Sequence, residues 1–272
     1  MPTMFGGFAS DLSQDTNRRP SDNVWKGAPI LEIIAGQRDG VFFMDDFITD
    51  YTDGNVWNIL EADSTVVVGP LNSVRGGVQR ILIDATDENE AGIESGAAVS
   101  CFTDLNEGVG DFWCEWRARV TVLTSGSILM GMGEPGIMAA NAAVDATGAM
   151  VDKDFIGFRV AGGTALNTPT MLDATYNTAS GGGVTAFQLG ATGLAAQTLT
   201  ASTWFKCGLR YSDEDQKMRW FLNGQQINDG LAISGANFPD GEMLNWFAYG
   251  KATTAVAFNL DIDWVRMAAT FK

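Results

Sequence analysis

The chain has 272 residues, of which 46% are hydrophobic and 18% are charged, so it can build a core and disorder throughout is excluded. Its formal net charge of −16 is opposite in sign to what binding a nucleic acid backbone requires. Histidine is absent, which excludes Ser-His-Asp and Cys-His catalysis, imidazole metal sites and a histidine pH switch, and leaves carboxylate, lysine or tyrosine chemistry.

Residues 1–40 are predicted to form an extended N-terminal arm. They contain Pro2, Pro20 and Pro29 and show no sustained period of 2 or 3.6 residues. A terminus that is disordered when the protein is free in solution is the alternative interpretation. The arm is too apolar for a simple solvated tail, so we expect a partner surface to order it. The predicted partner-binding side chains are Phe5, Phe8, Trp25, Ile30 and Leu31.

Residues 41–272 are predicted to form one domain, because apolar and polar side chains alternate along most of it. The strand Phe112–Val122 should bury Cys114 and Trp116. The other face of this strand should carry Trp113, Glu115, Arg117 and Arg119, with Trp113 exposed.

The C-terminal part of the chain continues the alternation. The run Phe205–Tyr211 predicts another half-buried strand, and Asn223-Gly224 predicts a tight hairpin because both residues tolerate positive φ. The last run, Phe258–Met267, should bury one face and expose the other. Its predicted inward residues are Phe258, Leu260, Ile262 and Trp264, and its predicted outward residues are Asn259, Asp261 and Asp263.

Further strands complete the prediction of an all-β antiparallel sandwich or barrel, because no βαβ spacing is present. Only Gly136–Met150 resembles a short helix or an irregular excursion. The additional strands are expected near Gly40–Phe47, Ser64–Gly69, Val78–Asp84, Ala97–Thr103, Ser127–Gly133, Asp154–Ala161, Ala186–Leu189 and Met243–Gly250.

The cysteines and the N-terminal sequence bear on the cellular compartment. Cys101, Cys114 and Cys207 are odd in number and far apart, so we expect free thiols and a reducing compartment of origin rather than a disulfide. No leader-like sequence opens the chain and no apolar run approaches the roughly 20 residues of a membrane span. We therefore expect neither secretion nor membrane insertion.

An acidic loop is the candidate metal site. Asp84, Asp87, Glu88 and Glu90 place hard oxygen ligands at short spacing after a strand, which is the ligand type that Ca²⁺ takes. The loop lacks the D-x-[DN]-x-[DN]-G pattern, so a solvated acidic loop is the alternative. Ca²⁺ is the one candidate cofactor.

Two carboxylates on one strand face are the candidate catalytic pair. A retaining glycosidase needs carboxyl groups about 5–5.5 Å apart, and Asp261 and Asp263 share a face of the last strand. Alternating polar residues on a half-exposed strand give the same pattern without catalysis. We therefore predict no catalytic residue and no enzymatic activity.

Three segments resemble the concanavalin A-like lectin and glucanase jelly roll: Phe112–Val122, Thr203–Gly224 and Leu260–Arg266. The resemblance implies a jelly-roll sandwich over residues 41–272. The laminarinase-type members carry E-x-D-x-x-E on one strand, whereas here Glu61-Ala62-Asp63 is followed by Val66. Hydrolysis by that route is not expected.

A second resemblance concerns Gly77–Gly92, Met44–Phe47 and Asp154–Val160, which are similar to jelly-roll structural proteins of tailed-bacteriophage virions. It implies a non-enzymatic decoration or cement subunit on the capsid exterior, made in the host cytoplasm. Its implied partners are the major capsid protein and further copies of itself, as a homotrimer. The alternative is a carbohydrate-binding module of the same fold on the virion or its tail, with host-surface glycans as ligands.

Overall fold

The structure is a computed structural model that describes fourteen stretches of the chain. These are residues 18–47, 56–61, 65–71, 77–86, 88–96, 108–124, 126–138, 153–161, 172–179, 185–187, 199–227, 229–234, 238–239 and 241–272. Several predicted features lie outside these residues: Phe5, Phe8, Asp87, Cys101, the strand Ala97–Thr103 and most of the segment Gly136–Met150.

The described residues form two antiparallel sheets, as the alternating pattern predicts. The strands are β1 (Gly40–Asp45), β2 (Trp57–Glu61), β3 (Val67–Pro70), β4 (Gln79–Ile83), β5 (Glu90–Ser95), β6 (Val109–Val120), β7 (Gly126–Gly133), β8 (Phe155–Ala161), β9 (Asp173–Asn177), β10 (Thr185–Phe187), β11 (Phe205–Ser212), β12 (Lys217–Leu222), β13 (Gln225–Gln226), β14 (Leu231–Ala232), β15 (Asn245–Ala252) and β16 (Phe258–Phe271). In the part of the chain that the structure describes, one short helix, α1 (Ile30–Ile34), precedes β1.

The strand order places the longest strands in the middle of the sheets. The first sheet runs β13-β12-β11-β6-β16-β4-β3, with β1 also paired to β16 and β14 to β12. The second sheet runs β10-β9-β8-β7-β15-β5-β2. The prediction of an antiparallel sandwich is confirmed. The strands β2, β5, β9 and β14 were not among the predicted ones.

The core lies between the sheets and is built from the inward half of each alternation. The rings of Trp116 in β6 and Trp246 in β15 meet edge to face with centroids 6.1 Å apart. The indole nitrogen of Trp220 in β12 donates to the carbonyl of Gly157 in β8 over 3.1 Å. These contacts join the two sheets through large aromatic side chains, which bury much area per residue.

The Asn223-Gly224 hairpin is confirmed. Leu222 and Gln225 pair directly, leaving a two-residue connection in which φ is +50° at Asn223 and +77° at Gly224. Positive φ at both central positions is the requirement of a type I′ turn.

The prediction for the last strand is wrong at Trp264. The register of β16 against β6 shifts between Ile262 and Trp264, so the strand contains a bulge. Because a bulge adds one residue, the alternation changes phase, and Val265 and Met267 enter the core instead. Trp264 pairs with Arg117 on the outer face of the first sheet, where it is still buried.

No helix among the described residues is long and apolar enough to cross a membrane.

Candidate ligand-binding site

The outer face of the first sheet is covered by the segment 18–29, which we call the N-terminal strap. Val24 of the strap is fully buried against Gly208 of β11. A Cβ atom at Gly208 would lie 2.8 Å from Cγ2 of Val24, and one at Gly224 would lie 2.9 Å from the Ser21 side chain. The absence of side chains at these two glycines therefore makes room for the strap.

A buried carboxylate on β6 anchors the strap. The Oε2 atom of Glu115 accepts hydrogen bonds from the Ser21 backbone N–H over 2.9 Å and from the Trp25 indole N–H over 2.7 Å. Burial raises the pKa of Glu115, and the hydrogen bonds from the strap act in the opposite direction. The predicted outward direction of Glu115 is right, but the strap removes this side chain from solvent.

The prediction that Asp261 and Asp263 face solvent is wrong, since they are 0% and 1% exposed. Asp261 binds Arg80 and Arg119 at 2.7 and 2.6 Å. Both carboxylates lie on the outward side of β16, but arginines from neighbouring elements cover them. Alternation in sequence shows the face of a strand and does not show what packs on that face.

Asp263 joins the strap to the sheet. Its two oxygens bind Arg117 of β6 at 2.5 Å and Arg18 of the strap at 2.8 Å. Burial raises the pKa of Asp263, while Arg18 and Arg117 oppose that shift. Both oxygens of this carboxylate are bound by guanidinium groups. Asp263 therefore has a structural role, since a glycosidase nucleophile needs a free oxygen.

A cleft of about 630 Å³ lies where the strap ends over the first sheet. One row of the sheet forms its floor, because Trp113 of β6 pairs with Arg210 of β11 and Arg210 pairs with Arg219 of β12. The rim comes from the strap at Lys26 and from the β11–β12 turn. The remaining lining residues include Asp111, Tyr211, Glu214 and Asp215.

The prediction that Trp113 is exposed is wrong, since only 3% of it is accessible. Trp113 nevertheless lines the cleft, and its indole N–H has no hydrogen-bond acceptor among the described residues. A buried donor without an acceptor is costly in a folded protein unless water or a ligand satisfies it. The Trp113 indole N–H is therefore a buried donor of the cleft without an acceptor in the described part of the chain.

The charged groups of the cleft differ in how far they are paired. Arg219 binds Asp215, and Oδ1 of Asp111 accepts the Asp213 backbone N–H over 2.9 Å. Arg210 donates to the Asn23 carbonyl of the strap over 2.8 Å, and burial followed by repulsion from Arg219 lowers its pKa.

Tyr211 also lines the cleft, although its side chain is buried in the core. Its pKa is raised to about 12, first by burial and then by the nearby Asp213 carboxylate. The phenol therefore stays protonated at neutral pH.

A second pair of carboxylates lies on the outer face of the second sheet. Glu90 and Glu94 are four residues apart on β5, a spacing that puts both on one face of a strand. Glu94 accepts from the Gly136 N–H over 2.8 Å and the Asn245 amide over 3.0 Å, and burial raises its pKa. Glu90 accepts from the Tyr249 hydroxyl. From the sequence, Glu90 was predicted to belong to the acidic loop. Its spacing of four residues from Glu94 is the signal that could have indicated the pair.

Asp84, the first carboxylate of the acidic loop, accepts hydrogen bonds from nearby residues of the protein. Asp84 accepts from the Thr65 hydroxyl over 2.6 Å, the Thr86 N–H over 3.0 Å and the Asn89 amide over 2.9 Å. These donors lower the pKa of Asp84 to about 2. Glu88 follows with a φ of +68°, and Glu90 has already entered β5. No three Cys, Asp or Glu side chains cluster as metal ligands in the described part of the chain.

The described cysteines are free thiols. Cys114 and Cys207 are both fully buried in the core, and burial raises the pKa of each thiol well above its ordinary value. The prediction of free thiols is confirmed at these two positions. A thiol that is kept protonated and buried is a poor nucleophile.

The residues predicted to bind a partner occupy different environments. Trp25 is half-buried, bonded to Glu115, and meets Phe42 edge to face with ring centroids 6.4 Å apart. Ile30 is half-buried, whereas Leu31 of α1 is 82% exposed. Ile34, on the same helix, is 64% exposed.

Several solved structures superimpose on most of the chain, although no protein-family model and no curated protein sequence matches it. A laminarinase catalytic domain from Thermotoga maritima MSB8 superimposes with a TM-score of 0.55 at 14% identity, covering 85% of this chain and 98% of that one. The basic winged bean lectin gives 0.54 at 10% identity, covering 86% and 99%. A protein of unknown function from Shewanella oneidensis MR-1 gives 0.54 at 14% identity, covering 90% and 95%.

The chain has the jelly-roll fold of concanavalin A-like lectins and glucanases. At these identities the likeness concerns the fold alone, because this fold carries unrelated functions. None of the three structures is described as a virion protein. The resemblance to the lectin and glucanase jelly roll is confirmed at the level of fold, and the resemblance to phage proteins gains no support from these structures.

Proposed function

We propose that this protein is a non-enzymatic, lectin-like carbohydrate-binding protein whose ligand occupies the cleft beside Trp113. The observation that carries the proposal is the cross-strand pair of Trp113 and Arg210 in a cleft of about 630 Å³. This volume lies within the ordinary range of small-molecule sites, roughly 300–1,000 Å³. The indole N–H of Trp113 and the guanidinium of Arg210 are donors for sugar hydroxyl groups.

The surrounding polar groups support the same class of ligand. Asp111 and Glu214 line the cleft and are acceptors for hydroxyl groups, whereas Arg210 is a donor. The fold adds a weaker argument by analogy, because one structure that superimposes on the chain is a lectin.

The carboxylates argue for binding rather than hydrolysis. Asp261 and Asp263, the pair with the spacing of a glycosidase, are each held by two arginines. Glu94 is 2% exposed and already accepts two hydrogen bonds. A general acid must reach the substrate oxygen, and these described carboxylates are engaged within the chain.

A glycan array with the full chain tests the proposal, followed by titration calorimetry on each glycan that binds. Replacing Asp111 by Asn and Trp113 by Leu, one at a time, should weaken binding about 10-fold or more, because each removes a ligand contact worth roughly 1–3 kcal/mol. Asp229→Asn, an exposed acid that does not line the cleft, is the matched control. An array without signal, obtained with protein that melts cooperatively, would contradict carbohydrate binding.

A capsid decoration subunit is the second candidate function. The observation in its favour is that α1 presents Leu31 and Ile34 to solvent, at 82% and 64% exposure, within the segment predicted to contact a partner. The sequence resemblance to virion jelly-roll proteins adds support. In this proposal the protein assembles as a homotrimer on the capsid exterior, binds the major capsid protein and is made in the host cytoplasm.

Co-sedimentation with capsids tests the second candidate. The double change Leu31→Ser and Ile34→Ser should abolish capsid binding without loss of folding, because both side chains are already exposed. Val256→Ser, at 47% exposure, is the control. If neither the unmodified chain nor the control sediments with capsids, and virions contain no copies of the chain by mass spectrometry, decoration is excluded.

A further inference from the structure

Three nitrogen donors of the cleft form no ion pair or hydrogen bond with a carboxylate among the described residues, although Asp215 and Asp111 are near enough to Arg210 to favour its charged form. Among the described residues, neither Lys26 nor Arg210 forms an ion pair. Arg210 has one hydrogen bond, to the Asn23 carbonyl, although a guanidinium has five N–H donors. The buried indole N–H of Trp113 has no acceptor among the same residues.

The three acids of the cleft equal its three bases in number, but they lie towards the β11–β12 turn rather than the strap. Asp215 is bound to Arg219, and Asp111 accepts the Asp213 N–H. Glu214 lies on the exposed β11–β12 turn. The strap end of the cleft, at Lys26, Trp113 and Arg210, therefore has unused N–H donors, and an anionic oxygen acceptor would satisfy them.

The register of β6 and β11 determines where an anionic acceptor would lie. Trp113 and Arg210 are directly paired, so their Cβ atoms are about 4.5–5.5 Å apart on the same face of the sheet. A carboxylate placed between the two side chains can thus accept from the indole N–H and the guanidinium, while the sugar hydroxyls reach the acceptors Asp111 and Glu214. We propose that the cleft selects sugars that carry a carboxylate, such as uronic acids, with Arg210 and Lys26 binding the charged group; this inference rests on the carbohydrate-binding function proposed above.

The charge of the whole chain limits the kind of acidic ligand. A net charge of −16 repels densely charged polyanions at long range. Arg210 acts only at hydrogen-bond distance, where the charge-assisted bond outweighs screened repulsion. The ligand is therefore an isolated carboxylate on an otherwise neutral glycan rather than a sulfated polysaccharide or a nucleic acid.

Calorimetric titration with matched probes tests this inference. The probes are a glucuronate-terminated trisaccharide, its methyl ester, which removes the charge and keeps the ring, and acetate, which keeps the charge and removes the ring. The acid should bind about 10- to 100-fold more tightly than the ester, and acetate should not bind measurably. Arg210→Gln and Lys26→Gln should each reduce the preference for the acid, whereas Arg38→Gln, the same charge change outside the cleft, should not.

The outcomes separate this inference from the function on which it rests. Equal binding of acid and ester, with no effect of Arg210→Gln, would overturn the acidic preference and leave carbohydrate binding standing. Binding of acetate as tight as that of the trisaccharide acid would overturn the role of the sugar ring. Silence of all probes together with a silent glycan array would overturn both proposals. Lys26 is exposed, so Lys26→Gln keeps the test valid if Arg210→Gln loosens the strap.

Discussion

At the scale of single residues, the strap depends on buried polar partners rather than on apolar contact alone. Glu115 is fully buried, and two of its hydrogen bonds come from strap donors, the Ser21 N–H and the Trp25 indole N–H. A buried carboxylate that loses such a donor keeps its desolvation cost without compensation. Loss of either donor should therefore lower the free energy of unfolding by more than its small contact area suggests.

Replacing Trp25 by Phe should destabilise the protein by about 1–3 kcal/mol, because it removes a donor to a buried carboxylate and keeps an aromatic ring near Phe42. Urea denaturation measures the change. A double-mutant cycle with Glu115→Met, which removes the acceptor, isolates the hydrogen bond from the loss of ring volume. A coupling energy near zero would show that the bond to Glu115 does not hold the strap.

At the scale of elements, two glycines of the first sheet make room for the strap. Gly208 in β11 lies under Val24, and Gly224 in the hairpin lies beside Ser21. The hairpin glycine could be predicted from the Asn-Gly signal, since φ at Gly224 is +77°. The role of Gly208 could not be predicted. Its neighbour Val24 is almost two hundred residues away in the sequence, and the alternation of apolar and polar residues gives no information on such a contact.

Gly208→Ala should displace the strap, because the new Cβ atom would lie 2.8 Å from Val24 Cγ2. Overpacking of this kind costs roughly 1–3 kcal/mol. Limited trypsin digestion measures the effect as faster cleavage after Lys26, which lies in the strap. Gly69→Ala in β3 is the matched control, because a Cβ atom there meets nothing within 4 Å. Equal cleavage rates for the two variants would contradict the proposed contact.

The bulge in β16 limits how well burial can be predicted from the sequence of a strand. Leu260 and Ile262 are in the core as the alternation predicts, and Trp264 is not. The sequence pattern assumed an uninterrupted period of 2, and a single extra residue reverses every side chain after it. Strand existence was predictable for β6, β11 and β16, whereas the phase at the end of β16 depended on pairing with β6.

At the scale of the whole molecule, buried carboxylates set the pH response. Burial raises the pKa values of Asp45, Glu94, Glu115 and Asp263, while hydrogen bonds lower the pKa of Asp84 to about 2. A carboxylate with a raised pKa contributes stability that is lost as the pH rises through its folded value. One with a lowered pKa contributes stability that is lost as the pH falls through its folded value.

The free energy of unfolding should therefore increase as the pH falls from 7 through the raised pKa values of the four buried carboxylates. It should decrease again between pH 3.8, the ordinary pKa of an aspartate, and about 2, where Asp84 is protonated in the folded state. Relief of self-repulsion from a net charge of −16 acts in the same direction as the first change. Urea denaturation from pH 2 to pH 8 measures both limbs.

The matched variants assign the two limbs to particular residues. Glu94→Gln should flatten the limb between the raised pKa of Glu94 and 4.5, the ordinary pKa of a glutamate, because only there do the folded and unfolded states bind different numbers of protons at this residue. Asp84→Asn should flatten only the acid limb. A profile that falls steadily from pH 7 downward would contradict the raised pKa values of the buried groups.

The sequence by itself determined the class of fold, the hairpin at Asn223-Gly224 and the chemistry that the absence of histidine excludes, because these follow from local periodicity, local φ preference and composition. The tertiary structure decided what covers each outward face. It placed the strap on Glu115, arginines on Asp261 and Asp263, and Trp113 beside Arg210. The physical reason is that alternation records only whether a side chain points towards the core, whereas the partners on the other face come from distant parts of the chain.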